Sequence, residues 1–115
     1  MVRKLKGASN SNSQSDIIKR AQVMQERMLA IQEELKDKFV EESVAGGAVV
    51  VKANGQKDIV DLVISKDIVA DAVEDTSELT SLILSAINGA MNKAEELAEK
   101  EMSVVTGGVS IPGLF

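Results

Sequence analysis

The chain has 115 residues, 44% hydrophobic and 27% charged, with a formal net charge of −5, which suits one domain with a modest core and lies outside the composition of disordered chains. It contains neither Cys nor His, so disulfides, thiolate nucleophiles and the commonest general base and metal ligand are excluded. With two Phe and no Tyr or Trp, the interior must be built from Val, Ile, Leu, Met and Ala, and so little bulk per chain favours pooling apolar surface with a second copy.

Residues 1–15 open with Arg3, Lys4 and Lys6 and then run through Gly, Ser, Asn and Gln. With little to bury, they are expected to form a flexible basic and polar tail, leaving a single domain over residues 16–115. Ser15 or Asp16 can cap a first helix. Over residues 16–38 the apolar positions Ile17, Ala21, Met24, Met28, Ile31 and Leu35 recur at alternating intervals of four and three, the seam that lays one helix along another. At about 1.5 Å per residue this helix outruns a small sheet, and part of it must project.

Residues 39–64 (FVEESVAGGAVVVKANGQKDIVDLVI) carry the period of two and the β-branched content of strands. Gly46-Gly47 separates the first two runs. Asn54-Gly55 separates the second from the third and suits a two-residue type I′ turn. The expectation is a three-stranded antiparallel meander with one face and two edges to cover, and Val49 and Val51 among its packed residues. Residues 65–71 read as a turn and one helical turn. A second long helix follows from Thr76 or Ser77, with Thr76 as cap and Asp75 and Glu78 complementing the dipole. Ala86, Ala90 and Ala94, with Gly89 beside them, are expected to admit a neighbouring helix closely, and Thr106-Gly107-Gly108 ends the element.

Charge is unevenly placed. Residues 1–28 hold six basic and two acidic side chains, a net of +4, so the remainder carries −9. Such asymmetry points to separate electrostatic tasks. Arg20 and Arg27 stand seven apart on one helical face, with Lys19 adjacent. No phosphate-binding loop or two-His metal helix is present, and the acidic pairs Asp58/Asp61 and Asp67/Asp71 fall in or beside turns rather than in a pocket that would shift their pKa values. The expectation is a protein that is not an enzyme and uses no cofactor or metal. The absence of a span-length apolar run or a signal sequence points to a cytoplasmic, not a membrane, location.

Four segments together resemble the YbaB/EbfC family of bacterial nucleoid-associated proteins: MQERMLAIQEEL (24–35), VEESVAGGAVVVKANGQKDIVDLVIS (40–65), LILSAINGAMNKAEELAEKEM (82–102) and TGGVSIPGLF (106–115). Their order and spacing match the family pattern over nearly everything after Asp16. Two places depart from it: Ile64-Ser65-Lys66 stands where the family frequently has Ile-Asp-Pro, and Asp75-Thr76-Ser77 replaces a more acidic, helix-favouring segment. The resemblance implies an α+β subunit of order α-β-β-β-α that forms a tweezer-like homodimer, binds double-stranded DNA and affects nucleoid organisation and gene expression.

On this reading the two helices run antiparallel and place cations at the arm tips. Lys19, Arg20 and Arg27, with the basic start (Arg3, Lys4, Lys6) and with Asn92, Lys93 and Lys100 of the second helix, are the candidate phosphate contacts. The alternative is an adaptor that docks replication or recombination proteins through the heptad face or through the apolar residues 111–115, which are otherwise expected to fold back over the sheet.

Overall fold

The computed structural model describes residues 2–106, with side chains described from residue 14 to residue 105. The elements run α1 (Val2–Leu35), β1 (Phe39–Val44), a 3-10 turn at Ala45–Gly47, β2 (Val49–Asn54), β3 (Ile59–Ile64), α2 (Lys66–Asp71) and α3 (Ser77–Thr106). The strands form one antiparallel sheet in the order β1-β2-β3. The α+β meander between two long helices is therefore as expected.

The core is the contact between β2 and α3. Val49, Val51 and Ala53 point from one face of β2 onto Ala86, Ala90 and Ala94, and all six are fully buried. The three alanines recur every fourth residue and so share one face of α3. The sequence reading assigned them to a neighbouring helix; they are instead where α3 lies down on the sheet. A small side chain permits close approach whatever the partner, and nothing in its spacing distinguishes helix from strand. Val40 and Val44 of β1 flank the cluster, as do Leu79, Leu82, Ile83, Ile87 and Met91 of α3.

The turn between β2 and β3 differs from the expected type. Asn54 and Gly55 do not have positive φ; Lys57 does, at 67°. Asn54 N–H donates to Asp58 O at 2.9 Å, and Asn54 Oδ1 accepts from Gln56 N and Asp58 N at 2.9 and 3.0 Å. The loop is thus Gly55-Gln56-Lys57, three residues with the last left-handed, and a register shift follows between Lys52 and Ala53. The asparagine side chain closes the loop that the dipeptide rule assigned to backbone alone. The Gly46-Gly47 turn is as expected, both glycines having positive φ.

Helix α1 begins at Val2, not at Asp16. Residues 2–15 contain no proline and one glycine, and Ser and Asn weaken a helix by only tenths of a kcal/mol each, so a long α1 can propagate backward from its packed half. Its 34 residues span about 51 Å, against about 20 Å for a six-residue strand. The helix accordingly projects past the sheet.

Along its seam the burial is graded: Leu35 is buried, Met24, Met28 and Ile31 are half-buried, and Ala21 and Ile17 are exposed. Packing therefore fades from the sheet toward the tip. Helix α2 is capped by Ser65, whose Oγ accepts from Ile68 N at 3.3 Å. At the start of α3 the sequence reading expected the cap from Thr76. The side chain that serves is Asp75, whose Oδ1 accepts from the Ser77 hydroxyl at 2.6 Å and from Ser77 N at 2.9 Å. Those two bonds hold its carboxyl below the usual carboxylate range.

Candidate nucleic-acid interface

Two antiparallel helices make the arm. The N-terminal part of the α1 seam meets the end of α3, where Lys19, Arg20, Met24 and Arg27 surround a shallow groove with Val105. Its C-terminal part, Met28 to Leu35, faces Ala98 and Met102. The arm is anchored by the β2–β3 turn: Gly55 N–H donates to both Leu35 O and Lys38 O at 2.9 Å, and Gln56 Nε2 donates to Gln32 O at 2.8 Å. The last carbonyls of a helix need donors from outside it, and the turn supplies them. The direction in which α1 leaves the sheet is thereby fixed.

The cations fall into two groups. On the body three face carboxylates: Lys38 Nζ lies 3.0 Å from Glu101, Lys57 4.0 Å from Glu95, and Lys93 3.5 Å from Glu42, while Lys36, Lys66 and Lys100 are exposed at separate places with no carboxylate within ion-pair distance among the described residues. Lys93 also donates to Glu41 O at 2.8 Å, while Lys52 lies over the Phe39 ring, 4.7 Å from its centroid. On the arm, Lys19, Arg20 and Arg27 are exposed and have no carboxylate within ion-pair distance among the described residues.

Lys19, Arg20 and Arg27 line one groove. Lys93 is set apart from them, at the sheet, binding α3 to β1. Asn92 and Lys100 are exposed on α3. Arg3, Lys4 and Lys6 lie on the first turns of α1, outside the residues whose side chains are described, and residues 107–115 lie outside the described residues altogether.

The structure adds a feature the sequence reading passed over. Helix α3 covers β1 and β2 and leaves β3 bare, with Ile59, Val60, Leu62 and Val63 all exposed. Leu62, opposite Val51, flanks the core face, and Val63, opposite Val50, lies on the other side. Both faces of an edge strand are thus apolar and open. A signal was available in the near-continuous apolar run IVDLVI, which marks strands buried on both faces. Among the described residues no cluster of three or more metal-ligating side chains occurs, and no helix is long and apolar enough to cross a membrane.

Residues 11–109 match the YbaB/EbfC DNA-binding family. The chain belongs to that family. It is 45% identical over 101 residues to a nucleoid-associated protein of Thermoanaerobacter pseudethanolicus, covering 88% of this chain and 89% of that one. It is 47% identical over 102 residues to a nucleoid-associated protein of Acetivibrio thermocellus, covering 88% of each. The fold resembles that of an uncharacterized Helicobacter pylori protein solved by crystallography, with a TM-score of 0.58 and 26% identity over 70% of this chain and 90% of that one. In this YbaB/EbfC chain, the groove bearing Lys19, Arg20 and Arg27 lies within the matched residues.

Proposed function

We propose that two copies of this chain bind double-stranded DNA in the nucleoid through phosphate contacts along their helical arms, affecting nucleoid organisation and gene expression, with no catalytic step. The observation that carries this reading is the clustering of unpaired cations. Lys38, Lys52, Lys57 and Lys93 are held by carboxylates or by the Phe39 ring, whereas Lys19, Arg20 and Arg27 face solvent together around one groove. Exposed, unpaired cations release phosphate counterions on binding; paired ones are already neutralised.

Phosphate contact positions a protein on a duplex without reading bases. Trp and Tyr are absent from the chain, which removes the best platforms for stacking single strands. The excess of negative charge beyond residue 28 repels a polyanion and confines contact to the arms. A homodimer supplies the second arm, and the bare β3 is the surface with most to gain from pairing. An unpaired strand edge flanked by apolar side chains on both faces invites another strand.

The test is a gel-shift salt series on random duplex DNA with the chain and its Lys19/Arg20/Arg27→Ala variant, beside a solution mass measurement on both. Counting Lys19, Arg20 and Arg27 alone, six cations per dimer give a slope of log affinity against log salt near −5, roughly a thousandfold loss between 50 and 200 mM. The variant is expected to remain a dimer, bind more weakly and show a slope flatter by about that amount. An unchanged slope would remove the assigned contacts, and a stable monomer at micromolar concentration would remove the second arm.

The alternative, an adaptor for replication or recombination proteins, draws on Ile17 and Ile18, which are 64% and 58% exposed on the arm. On that reading Ile17→Ser with Ile18→Ser abolishes partner capture and leaves duplex affinity intact.

A further inference from the structure

A second concavity, of about 480 Å3, lies between the C-terminal half of α1, the β2–β3 turn and α3. Met28 of α1 and Met102 of α3 both line it, with Leu35 and Ala98 beside them. Met24, one turn closer to the tip of α1, lines the smaller cationic groove with Val105. Three of the side chains that close α1 onto α3 are therefore thioethers, each half-buried at the wall of a groove. Among the described residues no ion pair joins α1 to α3, so the seam holds by apolar packing. Met91 is the contrast: it is half-buried too, but packed against the core where α3 lies on the sheet.

A thioether has no proton to lose, so its reactivity depends on what can reach it and not on pH. A groove that holds several waters admits a hydroperoxide, a molecule little larger than water. We propose that Met24, Met28 and Met102 form a peroxide-sensitive site whose oxidation frees the arm from α3. The sulfur attacks the terminal oxygen of the hydroperoxide and gains an S–O bond as the O–O bond breaks. Sulfur is oxidised by two electrons, and the hydrogen of the transferred oxygen passes to the leaving oxygen, which departs as water or, from an organic hydroperoxide, as an alcohol. The product is a polar sulfoxide where a flexible apolar side chain stood. Closing the helices over that oxygen without a hydrogen-bond partner is costly, so the seam opens toward water. Gly55 N–H and Gln56 hold the sheet end of α1, and burial already fades from Leu35 toward Ile17. The base therefore stays fixed while the stretch bearing Met24 and Met28 is released. The inference stands apart from DNA binding.

Because the chain has no cysteine, a graded series of hydrogen peroxide on the full-length protein reports on methionine without competition from thiols. Peptide masses locate the added oxygens, and amide exchange is followed on the same samples. Met24, Met28 and Met102 are expected to gain oxygen well before Met91. Protection of α1 over residues 20–31 is expected to be lost as they do, while β2 keeps its own. Met24→Leu with Met28→Leu and Met102→Leu, swaps that nearly conserve volume, are expected to preserve that protection through the same series. Oxidation of Met91 at an equal rate, α1 exchange that does not follow the oxygens, or a leucine variant that loosens like the unaltered chain would each overturn the proposal. Should the leucines disturb α1 before peroxide is added, methionine sulfoxide reductases acting on the oxidised, unaltered chain give a second reading. Protection is then expected to return, and exchange that stays fast after the oxygens are removed would overturn the proposal equally.

Discussion

Gly55 has no room for a side chain because Leu35 occupies the space: a Cβ there would lie 2.6 Å from Leu35 Cδ2 and 2.8 Å from Leu35 Cβ. The requirement for glycine is one of proximity and not of conformation, since φ at Gly55 is not positive. The same contact brings Gly55 N–H onto the Leu35 carbonyl, so the corner that aims the arm depends on it. Gly55→Ala is expected to cost about 1 to 3 kcal/mol, as overpacking does, and to raise hydrogen exchange over the last turns of α1. Gly46 is the contrast, with φ of +67° and open space around it. Gly46→Ala is expected to cost about 1 to 2 kcal/mol of backbone strain and to leave exchange in α1 unchanged. Denaturant melts with amide exchange on both variants separate the two effects.

A second close approach joins β1 to α3. A Cβ on Gly89 would meet the Glu42 side chain, with Cγ at 2.6 Å, and that carboxylate is held by Lys93 one helical turn further on. Alanine is worth about 1 kcal/mol over glycine inside a helix, while a partly exposed ion pair contributes roughly 0 to 1 kcal/mol. Gly89→Ala alone is therefore expected to be near neutral, the helix gain offset by displacement of Glu42. In a Glu42→Ala background the same change is expected to stabilise by close to 1 kcal/mol. A double-mutant cycle measures the difference. Equal effects in both backgrounds would mean that the carboxylate moves aside freely.

Asp75 sets a pH dependence at the start of α3. Its carboxyl is held low by the Ser77 hydroxyl and then by the Ser77 amide. A carboxyl with a depressed folded pKa stabilises fully above its unfolded value, and that contribution is lost as pH falls through the folded one. Exchange of the Ser77 amide, relative to an unstructured reference, is expected to rise as pH drops below the ordinary carboxylate range. Asp75→Asn retains an acceptor oxygen without the charge and is expected to flatten that profile.

The legible parts of this chain were those written in local pattern. The strand runs, the Gly46-Gly47 turn, the seam of α1 and the start of α3 follow from periodicity and turn chemistry. What failed depended on partners remote in sequence. Ala86, Ala90 and Ala94 show that something approaches but not what, and strand β2 proved to be the neighbour. Asn54-Gly55 looks like a two-residue turn until the Asn54 side chain reaches Asp58. Lys93 and Lys19 are alike as letters, yet one lies against Glu42, about 50 residues away, and the other has open solvent. The start of α1 was misplaced because polar residues weaken a helix without stopping it. At the candidate site, the Lys19, Arg20 and Arg27 cluster was readable because all three lie on one helix.

That difference between lysines gives a prediction about binding. Lys38, Lys57 and Lys93 all lie near carboxylates of the same chain, and their replacement by Ala is expected to lower thermal stability while leaving the salt slope for duplex DNA where it was. Removing the arm cations is expected to do the reverse. Side-by-side melts and salt series on the two triple variants provide the comparison. A slope that falls equally in both would mean that charge acts as a total and not by position.

The bare strand bears on the dimer in the same way. Leu62 and Val63 lie on opposite faces of β3 and are 43% and 53% exposed in a single chain, so replacing them removes little intramolecular burial. Leu62→Lys with Val63→Asp is expected to leave the protomer folded, by circular dichroism, while bringing its mass in solution to that of one chain. If β3 mediates pairing, duplex affinity falls too, although every arm cation is intact, because one arm contributes only about half the counterion release of two. A variant that stays dimeric would move the pairing surface elsewhere, the exposed end of the α1 seam at Ile17 and Ala21 being next to test. A monomer that binds DNA with the full salt slope would mean that a single arm carries all the contacts, and that pairing serves some purpose other than grip.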